Sequence, residues 1–375
     1  MDALDLLSGD ARAFVEKVWA TRTHVHRSSP ADAEALLSLD DVDHLLTSTA
    51  MRTPALRIAR DGVVLPTSSY TRSATLAGAA LTGLVDARKV FDLIDDGATV
   101  VLQGLHRYWS PLGDLVRDLE LTLGHPCQAN AYLTPPGSQG FALHSDTHDV
   151  FVVQTHGSKR WQIHDTERQH DVLLEPGTSM YLPTGTPHAA RTQQSASLHV
   201  TIGVNQLTWR HVLDRVAGRL LADEQLDQAL PADYLTSPGA LADGLAERLS
   251  WLAGAVAAVD PVASAQEQVH HFLGTRPPAL RGGLRDRLTA ASIDDDTELC
   301  RRPGSVCVLA TGGGRLRILL GDRELHVPSR LGPVMAHLRE QADMRAADLA
   351  EWLDPQSRLV LVRRLVREGL LRVRA

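Results

Sequence analysis

His144 and Asp146, in the run Phe141-Ala-Leu-His-Ser-Asp, and His188, forty-two residues further on in Leu182-Pro-Thr-Gly-Thr-Pro-His, are the side chains whose types and spacing carry most chemistry. On a strand, residues two apart share a face, so His144 and Asp146 are expected to enter one cavity while a later strand brings His188 beside them. Two imidazoles and one carboxylate on one side of a metal leave its other positions free. That arrangement suits non-haem Fe(II), which must take a co-substrate and oxygen together. A chain with seventeen histidines contains His-x-Asp by chance, so the triplet needs support from its surroundings.

Support comes fifteen residues after His144, at Lys159. Val150 to Gln154 reads as a buried β-run, Thr155 to Ser158 as a tight connection, and Lys159 to Ile163 as the returning strand. In that strand Lys159, Trp161 and Ile163 share a face. An inward ammonium needs an anion to meet it, and a carboxylate of 2-oxoglutarate would serve. The residues alone leave a second reading open, in which the lysine stem packs on the sheet and its head snorkels to water. The chain has only three lysines, Lys17, Lys89 and Lys159, and otherwise draws its positive charge from arginine, so the placement of one here is informative.

The stretch from Asn130 to Ile202 resembles the JmjC-type 2-oxoglutarate oxygenases, specifically the ribosomal oxygenase (cupin-4) branch of protein hydroxylases. The resemblance is carried in order by Asn130-Ala-Tyr-Leu-Thr-Pro-Pro-Gly-Ser-Gln-Gly-Phe, His144-Ser-Asp146, Asp149-Val-Phe, Gln154, Gly157-Ser-Lys159-Arg-Trp161, Pro176-Gly, Tyr181-Leu-Pro183, His188 and Ser197-Leu-His-Val-Thr201. It implies that His144, Asp146 and His188 hold iron and that Lys159 pairs with the distal carboxylate of 2-oxoglutarate. It also implies that Asn130, Tyr132 and Ser197 lie around the co-substrate or substrate. The same residues read independently as strands and turns. Pro176-Gly177 marks a turn, Ser179 to Leu182 a strand, Thr184 to Pro187 a second turn delivering His188, and Ser197, His199 and Thr201 alternate with apolar neighbours. This is the pattern of a double-stranded β-helix.

Four further histidines near the triad, His148, His156, His164 and His170, read as surface or structural imidazoles, because three protein ligands already leave a metal its open positions. His199 has the parity of Ser197 and Thr201 and is a candidate to support the ligands.

The length of 375 residues predicts two or three domains. Hydrophobic content of 43% and charged content of 22% are those of a soluble globular protein. A net charge of -7 argues against a general nucleic-acid or membrane binder. The beginning lacks a basic start and a long apolar stretch, and no later run is long enough to span a bilayer, so a cytoplasmic location is expected. Cys127, Cys300 and Cys307 are odd in number without Cys-x-x-Cys spacing, which opposes a disulfide framework and a zinc cluster.

The expected fold class is α+β, a double-stranded β-helix core followed by a helical dimerisation domain and a C-terminal winged-helix domain, with boundaries at 1–207, 208–278 and 279–375. Near the start, Phe14 to Trp19 reads as a helix leading to a strand at Thr23 to Arg27 that joins the core. Arg52 to Leu65 and Ala98 to Leu102 read as strands, and Leu115 to Leu123 as a helix. In the second part, Leu241, Leu245, Leu249, Leu252 and Val256 form one apolar stripe and Trp209, Val212, Leu213, Val216, Leu220 and Leu221 another. Such a stripe packs on its own domain or on a twin, and the resemblance implies a homodimer. In the third part, helices at Ser329 to Leu338, Arg345 to Trp352 and Gln356 to Glu368 and a strand from Gly369 give a winged-helix order. Arg358, Arg363, Arg364 and Arg367 on its third helix invite a DNA-binding reading. Nine arginines set against six acids from Ser329 onward, together with the resemblance, favour a scaffold.

The function implied is an Fe(II)- and 2-oxoglutarate-dependent hydroxylase acting on a protein side chain, a ribosomal histidyl or arginyl residue. The alternatives are an oxygenase acting on a peptide or small natural product, an N-methyl-lysine demethylase, and a non-enzymatic cupin sensor that regulates DNA through its winged helix.

Overall fold

The computed structural model describes residues 2–138, 143–164, 169–192, 194–312 and 314–374. Gln139, Gly140 and Phe141 of the resemblance motif lie outside the described residues. The chain forms two compact units, Met1–Gln206 and Leu207–Ala375.

Among its described residues the first unit mixes short helices with thirteen strands: β1 (His24–Arg27), β2 (Leu56–Arg60), β3 (Val63–Val64), β4 (Thr71–Leu76), β5 (Ala79–Val85), β6 (Thr99–Leu102), β7 (Cys127–Thr134), β8 (Asp149–His156), β9 (Lys159–His164), β10 (Gln169–Leu174), β11 (Thr178–Leu182), β12 (His188–Thr192) and β13 (Ser197–Val204). Eight strands make a major sheet in the order β1-β11-β8-β13-β7-β6-β2-β3, and three make a minor sheet in the order β10-β9-β12. From β8 onward the chain passes between the two sheets: major, minor, minor, major, minor, major. That shuttling is the winding of a double-stranded β-helix, and the β1 expectation holds because β1 pairs antiparallel with β11.

Strand β8 shows how one sequence serves two layers. Val150 and Val152 pack with Met180 and Leu182 against Trp161, Ile163, Leu174 and Ala190 of the minor sheet. Phe151 and Val153 project the other way, into a core shared with Leu4, Leu7, Phe14 and Leu119 from the helices. The two-residue period of a strand therefore buries both faces, which is why this run reads as continuously apolar. The covering helices start on conventional caps, as where the Asp10 carboxylate accepts from the Ala13 amide at 2.8 Å.

Two local expectations are corrected. Strands β8 and β9 are joined by only Gly157 and Ser158 but do not pair with each other; β8 lies between β11 and β13, and β9 between β10 and β12. The connection changes sheet because Gly157 takes a left-handed φ of 61°. In the second unit, Arg345 to Trp352 is not a helix. It is the strand Asp343–Arg345, whose Met344 pairs with Leu299, followed by the single 3-10 turn Ala346–Leu349, too short to nucleate an α-helix.

The second unit begins with helices Trp209–Leu220, Gly239–Ala257 and Pro261–Gly274. It continues with a sheet in which Glu298–Arg301 lies between Asp343–Arg345 and Leu371–Val373, a second sheet of Val308–Gly312, Arg315–Leu319 and Glu324–Pro328, and helices Gly332–Glu340 and Pro355–Arg367. Leu299, Met335, Leu338, Leu365 and Leu371 belong to its core. No helix among the described residues is long and apolar enough to cross a membrane.

A side chain at position 157 has no room, since its Cβ would stand 1.8 Å from the Ala196 carbonyl oxygen. With about 1–2 kcal/mol for the left-handed conformation added, Gly157→Ala is expected to lower the thermal midpoint by several degrees. An unchanged midpoint in differential scanning calorimetry would show that the sheet change is made some other way.

Candidate metal centre

His188 opens β12, and a backbone pair ties it to His144: the His144 amide donates to the His188 carbonyl at 3.1 Å and the His188 amide returns to the His144 carbonyl at 2.8 Å. His144 therefore reaches the site through an isolated antiparallel bridge and not on a strand of its own. Asp146 likewise sits in a loop, held by the Gly185 amide donating to its carbonyl at 2.9 Å. The shared strand face expected for this pair is absent, and backbone bonds across to the His188 segment do the positioning instead.

The result brings the three side chains together. Their ligand atoms all lie within 4.8 Å of one another, and among the described residues this is the one such group of three or more His, Cys, Asp or Glu residues. Asp146 Oδ2 is 3.6 Å from His188 Nε2. His188 Nδ1 lies 2.9 Å from the Thr186 carbonyl, which can only accept, so the hydrogen sits on Nδ1 and Nε2 keeps its lone pair for a metal. Burial pushes the His188 imidazole below its ordinary pKa, which keeps it neutral as a ligand must be. His188 is buried, Asp146 half-buried and His144 exposed, so the centre opens on the His144 side. The donor set fits a divalent transition metal with vacant positions on one flank.

Behind the triad lies a cavity of about 260 Å³ whose lining includes Asn130, Tyr132, Lys159, Trp161 and His199. Lys159 is 3% exposed, so its head does not snorkel to the outer surface. Its ammonium donates to Thr134 Oγ1 at 3.3 Å, and burial pushes it down to about 8. Trp161 Nε1 and His199 Nδ1 are buried without a hydrogen-bond partner. A cationic donor and a buried indole N–H in one cavity fit a ligand rich in acceptor oxygens, such as a carboxylate. His199 stacks on Tyr132 with centroids 5.0 Å apart and planes 4° apart. Burial first, and the Lys159 charge second, hold its imidazole well below the usual pKa, so it faces the ammonium as a neutral ring.

The remaining expected residues divide. Tyr132 lines the cavity, and burial pushes its phenol pKa up against the opposing influence of Arg57. Asn130 also lines it, with Oδ1 accepting from the Gly104 amide at 2.9 Å. Ser197 does not line it. The bulge opposite Leu198 and His199 puts its extra residue on β8, so Ser197 keeps the parity of His199 and Thr201 on β13, but its Oγ accepts from Gln154 Nε2 at 2.8 Å. Among the lining residues that the sequence did not single out for the cavity are His148 and Arg57. His148 reads as a structural imidazole, yet it lines the cavity, its ring occupying the space a Cβ on Gly203 would need. Arg57 arrives from β2 because Arg57 pairs with Val101, and Val101 with Tyr132. No local signal marks it, since that row exists only once the sheet has formed.

A buried ammonium without an anion weakens the folded state. Folded Lys159 loses its proton near pH 8 and the unfolded chain near 10.5, so the penalty is full below pH 8 and stability rises with pH across that window. Lys159→Met is expected to melt higher than the parent at pH 7, by up to about 3 kcal/mol, with the gap closing toward pH 10.5, while binding of a diacid is lost. Equal melting at pH 7, read by calorimetry over a pH series, would show that the ammonium is already compensated.

Comparison with known proteins converges on the same segment. The JmjC domain family matches residues 115–171 and 162–212. The chain is 35% identical over 164 residues to a bifunctional lysine-specific demethylase and histidyl-hydroxylase NO66 from Branchiostoma floridae, covering 42% of this chain and 27% of that protein. It is 30% identical over 178 residues to ribosomal oxygenase 1 from Danio rerio, covering 40% of this chain and 33% of the relative. The chain thus spans about a third or less of the length of these curated relatives. Its fold is like that of YcfD, a ribosomal oxygenase from Escherichia coli solved in complex with cobalt and 2-oxoglutarate, with a TM-score of 0.53 over 98% of this chain and 99% of that one at 17% identity. Residues 115–212 therefore resemble a JmjC domain, carried in a chain that is similar to the ribosomal oxygenases in sequence across that segment and to YcfD in fold along its length.

Proposed function

We propose that this protein is an Fe(II)- and 2-oxoglutarate-dependent oxygenase that hydroxylates a histidyl or arginyl side chain of a ribosomal protein. The observation that carries the reading is the convergence of His144, Asp146 and His188 at the mouth of a cavity whose interior holds the buried ammonium of Lys159. Bound there, ferrous iron and 2-oxoglutarate would use dioxygen, one of its oxygen atoms entering a carbon–hydrogen bond of the substrate and the other the succinate formed, with carbon dioxide, from 2-oxoglutarate. The two histidines and Asp146 hold the metal. Lys159, steadied by Thr134, meets the far carboxylate of the diacid. Val150, Val152, Trp161 and Ala190 line the cavity with apolar surface and keep water from the reacting centre. Asn130 and Tyr132 face the space left for the target side chain.

The lining favours a histidyl target over an arginyl one. Among its described residues it contains Arg57 and Lys159, and its one carboxylate is Asp146, a metal ligand. A guanidinium would enter without a counter-ion of its own, whereas a neutral imidazole asks for none. The same charge balance counts against an N-methyl-lysine target. Three free, buried cysteines suit a reducing compartment, and a cytoplasmic location is part of the proposal.

The second unit is read as a dimerisation and scaffold region. Neither Trp209–Leu220 nor Gly239–Ala257 has a buried residue. Trp209 is 82% exposed, Leu213 62% and Leu249 56%, members of the two apolar stripes that a second copy would cover. The winged-helix reading remains part of the proposal as a scaffold. Arg358 is held by Asp295 at 2.7 Å, Arg363 donates to the Ile293 carbonyl at 2.6 Å, and Arg364 pairs with Glu368 at 2.6 Å, so these arginines already have internal partners.

Asp146→Ala is expected to abolish iron-dependent succinate formation with the circular dichroism spectrum unchanged; full turnover in that variant removes Asp146 from the centre. Mass spectrometry of ribosomal proteins from cells with and without the gene is expected to find a histidyl peptide one oxygen heavier in the former. Metal uptake without succinate formation would instead fit a ligand-binding regulator. In sedimentation velocity the protein is expected to run as a dimer and the Trp209→Glu, Leu213→Glu double variant as a monomer; a monomeric parent rejects the dimer.

A further inference from the structure

We infer that Asp149, which lines neither the cavity nor the group of ligands, is a positioning residue that keeps His144, Asp146 and His188 in register; the inference rests on the metal-centre reading above. Asp149 is fully buried at the start of β8. Its carboxylate accepts from four donors. Oδ1 takes the Thr184 amide at 2.8 Å and the Thr184 hydroxyl at 2.7 Å, and Oδ2 takes Gln206 Nε2 at 2.8 Å and the Tyr181 hydroxyl. Tyr181 is fixed from its other side, its oxygen accepting from the Ala20 amide at 2.9 Å. Four donors converging on one side chain require a group that only accepts. Among side chains of this size an ionised carboxylate alone does so, whereas asparagine would present its own N–H groups to Tyr181 and Gln206.

What Asp149 anchors is the turn Thr184-Gly-Thr-Pro, and that turn touches the ligands directly. The Gly185 amide holds the Asp146 carbonyl at 2.9 Å, and the Thr186 carbonyl fixes His188 Nδ1 at 2.9 Å. The Pro187 carbonyl accepts from the His164 amide at 2.9 Å, tying the turn to β9 as well. His188 in turn holds His144 through the backbone pair. A shift of Thr184 therefore moves two ligands at once and the third through them. Burying a carboxylate is costly unless all its lone pairs are met, and here they are met by the segments that set the ligand geometry.

The test uses the full-length protein loaded with Co(II), whose visible absorption reports ligand number and geometry. Asp149→Asn is expected to weaken Co(II) binding about ten- to a hundred-fold and to change the band shape. Thr184→Val, which removes one donor and little else, is expected to weaken it less, and Thr184→Ser, which keeps both donors, to restore parental behaviour. Val153→Ala, a core truncation on the same strand, is expected to lower the melting temperature without altering the cobalt spectrum. Parental affinity and spectrum in both Asp149→Asn and Thr184→Val overturn the inference; if Asp149→Asn fails to fold, an unchanged Thr184→Val overturns it alone. Absence of a cobalt spectrum in the parent is a different failure, because it removes the metal centre itself and the inference with it.

Discussion

Two backbone hydrogen bonds between His144 and His188 are the constraint on which the rest of the site depends. A metal needs its ligands within a few ångströms and at set angles, and side chains on separate loops meet that demand only if the main chain is fixed first. The bridge supplies the fixing for His144, and the turn before His188 supplies it for Asp146. Everything outward from there, including the sheet that carries β12 and the glycine that lets the chain change sheets at position 157, serves to hold that short stretch of backbone in place.

The cavity sets a buried cation beside an apolar wall. One wall is apolar, from Val150, Val152, Trp161 and Ala190, and this is what makes the Lys159 ammonium so uncomfortable. The energetic tension is useful, since an anion that enters meets a cation whose hydrogen-bond partner among the described residues is the neutral Thr134 hydroxyl. His199, held neutral between Tyr132 and Trp161, adds polar surface without adding charge. Asp149 is the opposite case on the same strand as the apolar wall: a buried charge whose every acceptor position is occupied by the protein itself, so that it binds nothing and orders its surroundings.

The second unit shows the same physics at larger scale. Its core closes around Leu299, Met335, Leu338 and Leu365, while the helices at its start leave Trp209, Leu213 and Leu249 facing outward. Apolar residues at helical spacing say only that a face wants covering. They do not say by what, and the arginines of helix Pro355–Arg367 show the converse, that a basic helix can direct its charge to internal partners.

Much of the site was legible in the sequence because it is local. The types of His144, Asp146, His188 and Lys159 narrow the metal to a divalent transition ion and the ligand to an anion, and the two-residue alternation puts Lys159 on one face with Trp161 and Ile163, though only its burial in the structure rules out a head turned to solvent. The strands at Thr178–Leu182 and Ser197–Val204 and the helices beyond Trp209 follow from periodicity in the same way. What only the tertiary structure decided is whatever depends on register between distant segments. His144 is placed by a bridge and not by a strand, β8 and β9 join different sheets, Ser197 is engaged by Gln154 outside the cavity lining, and Arg57 and His148 are brought into it. Hydrogen bonding across a sheet couples residues far apart in the chain, and no stretch of sequence records the partner it will meet.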